Sequence, residues 1–128
     1  MTIPEGVTSI GDSAFAGCGS LNWITIPDTV TEIGQAAFFN CANLTWVTIP
    51  DGVTQINTET FYNCVRLVRI TIPTSVTSIS QEVFTYCAKL SEINYCGSEE
   101  EWAAIAKLVQ WDHNTGRYTV NYNYTPEA

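Results

Sequence analysis

The chain has 128 residues, enough for one domain that buries roughly two-thirds of the surface its unfolded form exposes. Five basic residues against thirteen acidic ones give a formal charge of −8, which argues against nucleic acid, whose binding needs several cations on phosphates. No apolar run reaches the roughly 20 residues of a membrane helix, so no membrane insertion is expected.

Taken from its start, the sequence first offers Met1-Thr2-Ile3-Pro4-Glu5, without the basic and apolar regions of a signal peptide. A leader, if the protein has one, is expected upstream or already removed. Four blocks of 23 residues then follow without insertion or deletion: IPEGVTSIGDSAFAGCGSLNWIT (3–25), IPDTVTEIGQAAFFNCANLTWVT (26–48), IPDGVTQINTETFYNCVRLVRIT (49–71) and IPTSVTSISQEVFTYCAKLSEIN (72–94). Phenylalanine recurs at 15, 38, 61 and 84, leucine at 21, 44, 67 and 90. A block of this length cannot bury its apolar face alone, so neighbours must stack into a solenoid.

Within each block, Leu21-x-x-Ile24-x-Ile26 and its equivalents have the L-x-x-L-x-L spacing of leucine-rich repeats. The alternation predicts one short strand per block. A proline then ends it by removing the ladder N–H. Strands of successive blocks are expected in parallel, about 4.8 Å apart. The columns headed by Val7, Ile10 and Phe15 are not spaced by two and predict turns with short helical or extended pieces.

The motif IPxxVTxIGxxAFxxCxxLxxIT resembles the BspA-like, or Treponema pallidum-type, leucine-rich repeats. YCGSEEEWAAI followed by WDHNTGRYTVNY resembles the C-terminal cap of such arrays. Asn57 and Ser80 depart from the pattern where the first two blocks have glycine, and Tyr95 where isoleucine is usual. The resemblance implies an α/β solenoid, a leucine-rich-repeat right-handed coil with short parallel strands on its concave face. It forms a single domain over 1–128, with a helix-plus-strand cap over 95–128. It further implies a secreted or cell-surface protein involved in adhesion, whose partner is a host or matrix protein or a glycan.

The cap has its own physical reading. Ser98 and Glu101 form a capping box that opens a helix of about ten residues, with Trp102, Ile105, Ala106 and Val109 on one face. Asn114-Thr115-Gly116 is a turn signal. In the strand that follows, Tyr118, Val120, Tyr122 and Tyr124 share a side. At the other end Thr2-Ile3-Pro4 repeats Thr25-Ile26-Pro27, so the chain starts inside a strand, and this uncapped edge is expected to favour self-association.

Candidate chemistry is sparse. Cys18, Cys41, Cys64 and Cys87 form one column, which spreads over roughly 14 Å and cannot surround a single zinc ion. Disulfides would need side chains that face each other, and buried apolar thiols fit better. His113, the only histidine, lies in a turn beside Asp112, with no nucleophile motif to serve. Glu99, Glu100 and Glu101 suit the first turn of a helix. Glu5, Asp28 and Asp51 recur after the prolines, where turn chemistry accounts for them and weak cation attraction is the alternative. No catalytic, cofactor or metal residues are therefore assigned, and the chain is expected not to be an enzyme.

The variable outward positions of the strands are more informative. Trp23, Trp46, Arg69 and Glu92 form one column, and Thr25, Thr48 and Thr71 form another, continued by Asn94. Tryptophan and arginine are the types most enriched in binding hot spots, and Arg69 is placed to stack on Trp46. These seven residues are the candidate ligand-binding surface. The alternative is that the aromatics stabilise the sheet as in-register neighbours. Phe39 and Tyr62 form a lesser aromatic pair, for which packing between repeats is the readier explanation. A structural spacer or self-associating segment is the second functional expectation.

Overall fold

The computed structural model describes residues 1–126; the last two positions of the expected cap, 127 and 128, lie outside the described residues. The chain winds into a solenoid whose coils follow the 23-residue spacing read from the sequence. The strands run β1 Ser9–Ile10, β2 Glu32–Ile33, β3 Trp46–Thr48, β4 Gln55–Ile56, β5 Arg69–Ile72, β6 Ser78–Ile79, β7 Glu92–Tyr95, β8 Ala106–Lys107 and β9 Thr119–Asn121, with helix α1 at Glu99–Ala104.

Each complete coil carries two strand segments, where the sequence predicted one. The expected strand gives the ladder β3-β5-β7-β9, parallel throughout, with Trp46 opposite Arg69 and Arg69 opposite Glu92. Single bridges Thr2–Thr25 and Trp23–Trp46 extend it through the first coils. The extended pieces expected around Ile10 are paired between coils and give two further parallel groups, β1-β2 and β4-β6-β8. These strands are only two residues long, too short for an alternating pattern to stand out in the sequence.

The third side of each coil is made of turns. Ser13, Ala36, Glu59 and Glu82 adopt left-handed backbone, as do Gly17, Asn40, Asn63 and Tyr86 four positions later. Such backbone is costly for side chains other than glycine or asparagine. Here it aims backbone N–H groups at the next coil, as in Phe15 N to Ala37 O at 2.8 Å and Phe38 N to Thr60 O at 2.9 Å.

The core is the set of apolar columns. The rings of Phe15, Phe38, Phe61 and Phe84 stack with centroids 5.4, 5.4 and 5.8 Å apart. Leu44, Leu67, Val47, Ile70 and Ile93 lie beside them, fully buried. Stacking identical side chains at the coil repeat buries a continuous apolar rod, which no single block could do.

The C-terminal region is a fifth coil more than a lid. β8 pairs with β6 and β9 with β7, both in parallel, so each ladder continues. Gln110 and Asn114 repeat the left-handed turn positions of Glu82 and Tyr86, 28 places on. The extra length over 23 is taken up by α1. Its capping box forms as predicted, with Ser98 Oγ accepting from Glu101 N and Glu101 accepting from Ser98 N.

The helix is six residues, shorter than the ten expected, because the chain turns into β8 at Ala106. Trp102 and Ile105 are buried as predicted, but Ala106 and Val109 are exposed. Ladder bonds to Thr77 and Ile79 hold this stretch where a longer helix would have run. After it, Tyr118, Val120, Tyr122 and Tyr124 are half-buried while Thr119 and Asn123 are exposed; Asn121, expected to share their side, is half-buried because its amide bonds to Asn94.

Candidate functional site

The β3-β5-β7-β9 face carries an open groove of about 580 Å³. Of the seven predicted residues, Trp46, Thr48, Arg69, Thr71 and Glu92 line it together. Trp23 and Thr25 lie one coil to the N-terminal side and are not among its walls. Besides the core residue Val47, sequence reasoning left four wall or floor residues out of the candidate surface: Asn94, Asn121, Tyr124 and Pro126. Asn94 was visible as the end of the threonine column. The other three were not, since β9 follows β7 by 27 residues and the constant spacing that located every other position is lost.

Ladder geometry fixes these side chains. Along a strand, successive residues point to opposite faces. Val47, Ile70 and Ile93 therefore fill the core while Trp46, Arg69 and Glu92 on one side of them and Thr48, Thr71 and Asn94 on the other face outward. In the parallel register each column is repeated at every coil.

Trp23 and Trp46 stack with centroids 6.3 Å apart and planes 4° from parallel. Trp23 is 42% exposed and Trp46 is half-buried. The rings stack on each other across the ladder and still meet solvent. The cation–π contact in the structure is Lys107 Nζ, 4.4 Å from the Trp102 ring, and not the expected Arg69 on Trp46. Arg69 is exposed and extends toward solvent from β5, whereas Lys107 is drawn onto the indole by its bond to the Trp102 carbonyl at 2.6 Å.

The groove floor is polar and nearly inaccessible. Thr71 and Asn94 are only 7% and 3% exposed. Asn121 Nδ2 donates to Asn94 Oδ1 at 2.8 Å, joining the last two rungs. Buried polar side chains need partners, and a floor of this kind is fixed in orientation before any ligand arrives.

The remaining candidates fall elsewhere. Cys41, Cys64 and Cys87 are buried and Cys18 half-buried, all as free thiols. Burial pushes Cys41 up to about 11 and Cys87 up to about 12, and raises Cys64 strongly as well. His113 is exposed, and Asp112 beside it accepts from Tyr118 Oη at 2.7 Å. Phe39 and Tyr62 stack at 4.9 Å on the turn side, with Tyr86 edge-on to Tyr62 at 5.7 Å. Among the described residues no three His, Cys, Asp or Glu side chains converge to hold a metal ion, and no helix is long and apolar enough to cross a membrane.

Parallel ladders, filled apolar columns and an outward-facing groove define a leucine-rich-repeat solenoid. The family model for a BspA type leucine rich repeat region of six copies matches residues 1–105, and the chain belongs to that family. Among solved structures it is similar to a leucine rich cell surface protein of Faecalibacterium prausnitzii, with 36% identity and a TM-score of 0.65, over 83% of this chain and 34% of that one. A leucine-rich repeat protein of Bacteroides ovatus is similar at 25% identity and TM-score 0.73, over 90% of this chain and 28% of that one. The leucine rich repeat protein of T. pallidum shares the fold at 23% identity and TM-score 0.62, over 95% of this chain and 72% of its own. The chain thus spans about a third of the first two proteins. No curated protein matches it.

Proposed function

We propose that this chain is a non-catalytic binding module of a secreted or surface-displayed protein, engaging a host or matrix protein or glycan through the β3-β5-β7-β9 face. The observation that carries the reading is the groove, where Trp46, Arg69 and Glu92 surround a floor of inaccessible Thr71 and Asn94. An array held together only by its apolar columns has no need of this arrangement on an outer face. The likeness to a cell surface protein supports a location outside the cell.

The test is adhesion of beads coated with the protein to matrix-coated surfaces. Trp46→Ala and Arg69→Ala should abolish retention, while Gln55→Ala on the opposite ladder should leave it unchanged. Equal retention by all three variants would reject the groove as the contact surface.

One observation favours a second reading, a self-associating or spacer segment. The outer side of the first coil presents an apolar hollow of about 290 Å³ lined by Met1, Ile3, Val7, Ile10 and Phe15 among others. Such a surface, edged by unpaired strand groups, invites another coil.

A further inference from the structure

We infer that the groove takes a neutral oligosaccharide, with Trp46 as the platform for one sugar ring and Arg69, Glu92, Thr48 and Asn121 as the hydroxyl-binding set. This rests on the reading of that face as the binding surface and narrows it to one ligand chemistry.

The groove lies on the face of a sheet whose strands β5 and β7 are paired on both sides. Their backbone N–H and C=O groups are consumed by the ladders. A peptide that binds by adding a strand needs a free edge, which β5 and β7 do not offer, so recognition over them comes from side chains. The accessible ones are the Trp46 indole, the Arg69 guanidinium, the Glu92 carboxylate, the Thr48 hydroxyl and the Asn121 amide, with Tyr124 and Pro126 on the tail. Together they offer donors and acceptors side by side, which is what the adjacent hydroxyls of a sugar present.

Charge points the same way. Arg69 and Glu92 are neighbours in register, so their charges offset each other within the groove. The chain as a whole carries −8, which disfavours sulfated or sialylated glycans. What remains is a neutral, hydroxyl-rich ligand. The volume of about 580 Å³ is of the size that holds small ligands.

Trp46 supplies the apolar component. Its stack with Trp23 covers one face of the indole. The other face is on the side of the next rung, where Arg69 is the register partner, and it is this face that the C–H face of a pyranose would pack on. Trp23 then acts as a brace behind the platform, a positioning residue that does not touch the ligand.

The experiment uses the 128-residue protein with neutral tetrasaccharides of β-linked glucose, β-linked galactose, α-linked mannose and β-linked N-acetylglucosamine, read by calorimetry and indole fluorescence. Matrix glycoproteins, before and after enzymatic removal of their glycans, are tested in parallel. At least one tetrasaccharide should bind. Trp46→Ala and the exposed-site variant Arg69→Ala should each weaken that binding by about tenfold or more with unchanged melting, and Trp23→Ala should weaken it less. Groove-dependent binding to deglycosylated protein, with no tetrasaccharide bound, would overturn the glycan inference and leave the binding module standing. Binding of neither probe, or binding indifferent to both Trp46→Ala and Arg69→Ala, would overturn both.

Discussion

The thiol of Cys64 donates a hydrogen bond to the carbonyl oxygen of Phe38, 3.1 Å away and 26 residues earlier in the chain. Cys41 does the same to Phe15 and Cys87 to Phe61, each at 3.1 Å. The cysteine column is thus a set of coil-to-coil clips, each adding a second donor to a carbonyl that already accepts a backbone N–H within its own turn, from Cys18, Cys41 and Cys64 in turn. Cys18 heads the column and is half-buried on the outer side of the first coil.

Thiol reagents are expected to distinguish these positions. In the native protein Cys41, Cys64 and Cys87 should resist alkylation until denaturant is added, and Cys18 should react sooner. Mass spectrometry after timed alkylation reads the order. Fast native labelling of Cys64 would contradict the burial.

Alkali should destabilise the fold through the same residues. Cys41 and Cys87 are raised from 9.0 to about 11 and about 12 by burial. A thiol raised in the folded state contributes its full stability below the unfolded value, and that contribution falls as the unfolded chain ionises first. Melting temperature should therefore hold up to pH 9 and decline between there and about 12. Cys64→Ala and Cys87→Ala together should flatten the decline.

Phe61 has phenylalanine rings on both sides and no solvent exposure. Phe61→Ala should cost about 3–5 kcal/mol, against a total stability of about 5–15 kcal/mol for a typical domain. Thermal unfolding followed by circular dichroism measures it. A change of less than about 1 kcal/mol would mean that the ring is not in the core.

Gly116 tests the fifth coil. A Cβ there would stand 2.6 Å from the carbonyl oxygen of Ala88 and 2.9 Å from that of Leu90. Gly116→Ala must lift the tail from the fourth coil. The expected result is a lower melting temperature by the equivalent of about 1–3 kcal/mol, with faster proteolysis after Lys107 and Arg117. An unchanged protease pattern would place the tail elsewhere.

In the isolated 128-residue chain, the apolar hollow lined by Met1, Ile3, Val7, Ile10 and Phe15 should drive association. Sedimentation velocity over rising concentration is expected to show oligomers, and Ile3→Glu, placing a charge in the apolar hollow, should reduce them. A strict monomer at the highest concentration would count against that expectation.

Most of this architecture was legible because a constant 23-residue spacing does the work of an alignment within one chain. Each of Phe15, Phe38, Phe61 and Phe84 predicts the others, and Trp46, Arg69 and Glu92 fall into one column before any strand is assigned. Two features escaped. The extended pieces expected around Ile10 are too short to show a period, so their pairing into ladders was not foreseen. The left-handed turns at Ala36, Glu82 and Tyr86 carry residues with no preference for that backbone, so ladder bonds and not local sequence impose them. The groove was half legible for a related reason: its coil-borne wall lay in register, while Asn121, Tyr124 and Pro126 come from the tail that α1 puts out of step.

That offset has a consequence for how such a surface can diversify. The groove is closed at one end by residues of a tail that docks on whichever coil precedes it, and its length is set by the coils between Trp46 and that tail. An in-frame duplication of one block would lengthen the groove by one rung, about 4.8 Å, and leave both ends chemically intact. Groove length and groove chemistry are therefore separately heritable: copying changes the first, and point substitution at the outward columns changes the second.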